Sequence, residues 1–247
     1  MPDSRLFQMT NKSPMLSSLE RILFTQHEKE RPMYRLHGFF TQNTMKALYV
    51  LEELGVEYEY CYVDLGKGEN RTENFLKMTP FGKVPVLEHD GEFLFEGGPI
   101  CRYVAGAEKS PLYPADKLQR ARVDQWMTFF TCHPGRWLTE IYFERVIKPR
   151  LGMGEANEKA CEKAAKFAHQ QFESLDGWLE NSQWLANDAL SIADMFALAY
   201  VEQVHAIDFS LDEHPRVKAW FEQLEGREST ARARAQVESY RQALLSA

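Results

Sequence analysis

A proline stands directly at the entrance of an apolar run, Thr79-Pro80-Phe81-Gly82-Lys83-Val84-Pro85-Val86-Leu87. Pro85 has no N–H to give to a ladder, so a strand that starts here must begin at a turn or an edge. The backbone of Val84 is then left free, and its N–H and C=O suit an extended peptide arriving as an added strand. Standing alone, Val84-Pro85 is as compatible with an ordinary passage from loop to strand. It does not stand alone. Asp90-Gly91 reads as a hairpin turn, Phe93 to Phe95 as the returning strand, and Pro99 as an early residue of a helix carrying Ile100, Tyr103, Val104 and Ala107 at helical spacing.

Upstream of this segment the pattern is equally orderly. A short strand is expected at Tyr34 to His37, then a loop from Gly38 to Asn43, then a helix with Ala47, Leu48, Leu51 and Leu54 on one face and Gly55 as its C-cap. Val56 to Leu65 alternates as a strand, Gly66 to Asn70 is a polar break, and Thr72 to Met78 is a short helix. The order is βαβ, then α, then ββα. That is the order of the thioredoxin fold, an α/β mixed sheet with helices on both faces, in which the position of Pro85 is a cis proline. Beyond a Pro-punctuated linker the alternation stops. Lys117 to Arg150, Glu155 to Glu180, Ser191 to Ala206 and Pro215 to Leu224 are amphipathic runs, so an all-α helical-bundle C-terminal domain is expected. The expected boundaries are an N-terminal extension at 1–32, with a short helix from a Ser17/Glu20 capping box through His27, a thioredoxin-like domain at 33–108, a linker at 109–116 and the helical domain at 117–247.

Composition narrows the function. With 29 Lys plus Arg against 36 Asp plus Glu, the chain of 247 residues carries a formal charge of −7. It has no basic block of the kind that nucleic acid or an anionic membrane surface selects, so neither is an expected partner. Its 44% hydrophobic content suits a globular protein. Cys61, Cys101, Cys132 and Cys161 are widely spaced, which gives no zinc-ligand pattern and points to free thiols in a reducing, cytoplasmic setting with no metal. There is no Gly-x-Ser-x-Gly and no His-Glu-x-x-His, and Gly82-Lys83 runs into Val84 where a phosphate loop needs Ser or Thr.

Glu96-Gly97-Gly98-Pro99 adds a second recognition element. Two amides without side chains at the start of a helix make an anion site, and a carboxylate beside them accepts from an ammonium. Together they suit the α-amino acid end of a ligand, although a glycine-rich turn with a solvated Glu96 would read the same.

With these residues in place, the region from Met33 to about Leu224 resembles a cytosolic glutathione S-transferase. The resemblance rests on Gly82-Lys83-Val84-Pro85-Val86-Leu87, Asp90-Gly91 and Glu96 before a helix, on the later helical domain, and on the Ser191 to Asp194 capping box flanked by Leu190 and Met195. Ile147 to Gly152 is similar to a helix ending of theta, phi and bacterial members. The resemblance implies glutathione as co-substrate, a hydrophobic electrophile as acceptor and a homodimer. Lys83 would meet the glycyl carboxylate, Val84 and Pro85 the peptide backbone, and Glu96 with the Gly97 and Gly98 amides the γ-glutamyl end. The position that activates the sulfur falls on Thr41, with Asn43 as a second donor, since Thr-x-Asn in this loop resembles the nu class. A hydroxyl bonded to a thiolate contributes roughly 1.5 to 3 kcal/mol, or about one to two pH units on a thiol that otherwise titrates near 8.5. A plain N-cap would also be a hydroxyl residue.

Two departures from the family pattern stand out: Gly97 replaces the usual serine after Glu96, and His37 occupies the place of a catalytic tyrosine and reads as a strand residue. No cysteine lies between Gly38 and Asn43, which argues against chemistry through an enzyme thiol. Phe39, Trp126, Phe130 and His133 are candidates for the electrophile wall, the last three forming with Phe129 and Trp137 an aromatic stripe broken at Pro134-Gly135. Core packing explains that stripe equally well. Beside transfer to an electrophile, two readings stay open, glutathione-dependent disulfide or peroxide reduction in the same site and a non-catalytic scaffold or ligand carrier of the same fold.

Overall fold

The computed structural model describes residues 34–245. The N-terminal extension and its expected helix from Ser17 lie outside the described residues. Strand β1 (Tyr34–Gly38) leads into α1 (Gln42–Leu54), which returns to β2 (Tyr58–Tyr62). A single 3-10 turn at Glu69–Arg71 precedes α2 (Glu73–Met78), β3 (Val86–His89), β4 (Glu92–Phe95) and α3 (Gly97–Ala107). The sheet order is β2-β1-β3-β4, with β1 parallel to β2 and antiparallel to β3, and β3 antiparallel to β4. In the central strand Leu36 pairs with Tyr60 on one side and Leu87 on the other, and it is fully buried. The β2 expected over Val56 to Leu65 is confined to five residues because β1 offers only five partners, Tyr34 to Gly38. Asp90 and Gly91 both have positive φ, 51° and 81°, the geometry of a tight hairpin that matches strand twist.

Every residue following the linker lies in helices or their connections: α4 (Lys117–Cys132), α5 (Pro134–Tyr142), a π-turn at Phe143–Ile147 ending in one α turn at Lys148–Arg150, α6 (Glu158–Trp178), α7 (Ile192–Val201), α8 (Val204–Ile207), α9 (Pro215–Glu225) and α10 (Glu228–Leu245). The long run expected from Lys117 to Arg150 breaks at His133, whose φ and ψ are −121° and −103°, and restarts at Pro134. Gly135 is required there, because any Cβ would run into the Phe130 carbonyl and the Tyr200 ring. Helix α10 was not anticipated by periodicity. It is held against α1 by charge: Arg227, just ahead of α10, donates to Glu53 at 2.9 Å, and Arg232 donates to Glu52 at 2.8 Å.

At the centre of the helical half, every residue of α7 is buried. Its start carries the expected capping box, with Ser191 N–H donating to Asp194 at 2.9 Å and the Ser191 hydroxyl accepting from the Ala193 amide. The Asp194 carboxylate also accepts from the Leu185 amide and from Trp220 Nε1, both at 3.0 Å. One side chain thereby ties α7, the loop ahead of it and α9. A fully buried carboxylate survives only because its lone pairs are answered, so truncation leaves several donors unsatisfied at about 1–3 kcal/mol each. We expect Asp194→Ala to lower unfolding free energy by about 3 kcal/mol or more in chemical denaturation, and Asp194→Asn to cost less.

Candidate functional site

The site begins where β3 begins. The Val84–Pro85 peptide is cis, and the ladder starts one residue later, at Val86. Among the described residues no hydrogen bond involves the backbone of Val84, so the edge is open to an incoming peptide. Lys83 beside it is exposed. A cavity of about 140 Å³ runs along this edge between Lys83, Val84 and Pro85 on one wall and Asn43, Phe95 and Glu96 on the other. A second cavity, of about 350 Å³, continues past Asn43 and Glu96 to Gly97, Gly98, Lys46 and Tyr200. Asn43 and Glu96 line both, which joins the two into one groove from the cis-proline to the helical domain.

Glu96 is the N-cap of α3 with φ 72° and ψ 127°, and its side chain makes no cap bond. A positive φ on a residue with a Cβ costs of order 1–3 kcal/mol and is found where the surrounding structure holds a group in place for a task. Here it leaves the carboxylate exposed in the groove and the α3 amides open beside it. Asn43 is exposed, and its Oδ1 accepts from Lys46 Nζ at 2.8 Å. Because an ammonium only donates, this fixes the amide orientation and leaves the Asn43 NH2 as the outward donor.

Thr41 is the N-cap of α1, and its hydroxyl oxygen accepts from the Thr44 amide at 3.4 Å. Capping and sulfur activation use different parts of the hydroxyl: the cap takes a lone pair, and activation needs the proton. Thr44, fully buried, is the second partner of that hydroxyl. Its Oγ1 accepts from the Phe39 amide at 3.3 Å and lies 3.3 Å from Thr41 Oγ1. Either hydroxyl can be the donor in that contact; in the arrangement where Thr44 donates to Thr41, the Thr41 proton is left for a ligand. The first-turn amides of α1 add a partial positive charge at the same point.

The aromatic candidates divide. Phe130 is fully buried and stacks on Trp220 at 6.0 Å between centroids, while Trp126 is buried against Phe129 and Trp178. Neither lines the groove. Phe130 faces α9 and Trp126 faces the end of α6, so the expected acceptor wall of Trp126 and Phe130 is core instead, and His133 sits exposed at the break with its ring 5.3 Å from Phe129. Phe39 is half-buried and stacks on Phe40 at 4.0 Å. A separate cleft of about 510 Å³, mixed in character, has Phe40, Met45, Tyr142 and Val146 among its apolar residues and Arg150, Glu202, Arg234 and Arg241 among its charged ones; Thr41 lines neither it nor the groove. The sequence reading missed these four apolar residues. Phe40 and Met45 flank Thr41 in the chain, and that adjacency was the available signal. His37 is a buried β1 residue whose Nε2 lies 3.1 Å from Glu88, as a strand position implies.

The thiols stand apart. Burial pushes Cys101 up to about 12 and Cys61 up to about 11, and none of the four cysteines lies between β1 and α1. A thiol raised in this way is a poor nucleophile.

A thioredoxin-like domain with an open cis-proline edge, an anion site at α3 and a fused helical domain defines a class of two-domain, peptide-binding proteins. The glutathione S-transferase N-terminal domain model matches residues 32–106, and the C-terminal domain model matches residues 135–228. A probable glutathione S-transferase of Oryza sativa subsp. japonica is 32% identical, covering 81% of this chain and 94% of its own length. Glutathione S-transferase 1 of Zea mays is 30% identical, with 83% and 96% covered. The solved structure of a glutathione S-transferase-I bound with lactoylglutathione superposes with a TM-score of 0.77 at 29% identity, covering 83% of this chain and 99% of that one. The chain belongs to the glutathione S-transferase family. Of the theta, phi and nu forms that the sequence resembles, its likeness is to plant phi-class members and not to the theta or nu forms.

The Thr44 relay yields a stability prediction. Thr44→Val keeps the shape, leaves the Phe39 amide without its acceptor, and should cost about 1–2 kcal/mol in equilibrium unfolding.

Proposed function

We propose that this chain binds glutathione in the groove and transfers its sulfur to a hydrophobic electrophile. The observation that carries the reading is the groove that joins the unpaired Val84 edge to Glu96 and the start of α3, with the Thr41 hydroxyl at the N-cap of α1, two residues from Asn43 in the groove wall. The cysteinyl backbone pairs with Val84. Lys83 meets the glycyl carboxylate, and the γ-glutamyl end lies at Glu96 and the Gly97 and Gly98 amides. The thiol gives its proton to solvent, and the Thr41 O–H together with the α1 amides stabilises the thiolate that remains. Asn43 NH2 is the auxiliary donor. The thiolate then forms the S–C bond to an acceptor lying over Phe40, Met45, Tyr142 and Val146, with addition to an activated double bond or departure of a leaving group completing the electron count.

The relatives' names and the lactoylglutathione-bound neighbour support this reading. A homodimer and a reducing cytoplasmic setting belong to the same proposal, the latter supported by four free cysteines. Among the described residues no helix is long and apolar enough to cross a membrane.

Steady-state conjugation of glutathione to a chloronitrobenzene tests the roles. Thr41→Ala should lower kcat/KM by roughly 10- to 100-fold while leaving the affinity for S-methylglutathione within about twofold, and Thr41→Ser should keep most of the activity. Lys83→Ala should weaken S-methylglutathione binding by only about two- to fivefold, because its partner would be an exposed carboxylate. Failure of the wild type to bind glutathione or to form product would overturn the enzyme reading in favour of a scaffold.

A further inference from the structure

Lys46 is out of place for a lysine. It sits on the buried stretch of α1 with 5% of its surface exposed. Its one hydrogen-bond acceptor is Asn43 Oδ1, and its ammonium lies over the Tyr200 ring at 3.8 Å and 5.1 Å from the Phe196 ring centre. Among the described residues no carboxylate comes within ion-pair distance of it. Buried cations are ordinarily paired, and ring faces with one amide oxygen replace water only in part. The side chain nevertheless lines the cavity that also holds Glu96 and the Gly97 and Gly98 amides.

Gly97 is the second half of the observation. A Cβ on it would stand 3.3 Å from Lys46 Cδ and 3.1 Å from the Asn43 carbonyl, tighter than ordinary contact. The absence of a side chain at 97 is what lets the Lys46 stem pass. Resting on the reading of the groove as the glutathione site, we propose that Lys46 is the anchor for the α-carboxylate of the γ-glutamyl residue, an ammonium in exchange for the hydroxyl that the family pattern puts at position 97. Carboxylate and ammonium form a charge-assisted pair in a site already desolvated, which gives the ligand the partner that Lys46 lacks when the site is empty.

The charge state follows from the surroundings. Burial pushes Lys46 down to about 7, and Cys101 and Glu96 oppose that only weakly. Of the groups facing it, Glu96 is exposed on α3, Cys101 is held as a thiol by burial, Arg102 is committed to Asp124, and Tyr200 on α7 is kept a neutral phenol by burial. A bound carboxylate favours the ammonium, so binding raises the lysine and takes up a proton at neutral pH. Affinity is then fullest below the free-site value and declines as pH rises through it.

Calorimetry with S-methylglutathione, which has no thiol to titrate, tests this. In two buffers of different ionisation enthalpy at about pH 7.5, the wild type should take up a substantial fraction of a proton per ligand bound. Lys46→Met fills the same space; it should bind roughly tenfold more weakly or worse, take up no proton, and lose the pH dependence. A ligand with the γ-glutamyl α-carboxylate converted to an amide should bind wild type and Lys46→Met alike, a readout that a merely misfolded variant would not give. Wild-type binding without proton uptake, and unchanged in Lys46→Met, would overturn the role of Lys46 and leave the glutathione site standing. No binding of S-methylglutathione by the wild type would overturn both.

Discussion

Helix α1 is packed by α3 of its own domain and by α7 and α10 of the helical domain, and it is buried without interruption from Thr44 to Leu51. A helix held on so many sides cannot slide or rotate to suit a ligand, so the place where it begins is fixed before any ligand arrives. That beginning is Thr41. The Phe39 amide, the Thr44 hydroxyl and the Thr41 hydroxyl form a short chain that caps the helix from within. The same helix carries Asn43 and Lys46 into the groove and Met45 into the cleft. The first turns of one helix therefore contribute to the walls of two separate cavities.

Much of this was readable in the sequence where the chemistry is local. Pro85 cannot join a ladder, Asp90-Gly91 matches a tight hairpin, Ser191 and Asp194 cap each other, and Pro134-Gly135 interrupts a helix; each signal depends on a few neighbouring residues, and each appears in the structure. What was not readable depends on distant partners. Helix α10 has little apolar periodicity, because arginines reaching Glu52 and Glu53 of α1 help hold it in place. Phe130 looked equally suited to a core or a pocket, and only its packing on Trp220, far along the chain, decides for the core. Lys46 sits inside an apolar run and gave no sign of being buried beside Gly97, since that proximity joins two helices about fifty residues apart in sequence.

The ionic ties of the C-terminal helix also bear on the cleft. Arg234 bonds Glu225, and the Tyr49 hydroxyl donates to Glu202, whose burial pushes its carboxyl upward. These groups lie among the residues of the cleft, together with Arg150 and Arg241. The cleft thus combines apolar and charged walls, a mixture that suits acceptors with an apolar body and a polar end.

In the proposed reaction the Thr41 hydroxyl keeps its proton and donates a hydrogen bond to the glutathione thiolate. The most direct measurement is the ultraviolet thiolate absorbance of enzyme-bound glutathione followed as a function of pH in the wild type and in Thr41→Val. The account predicts a bound thiol that ionises about one to two pH units below the free thiol in the wild type and loses most of that difference in Thr41→Val, with binding retained. A bound thiol that ionises at the same pH in both proteins would contradict it.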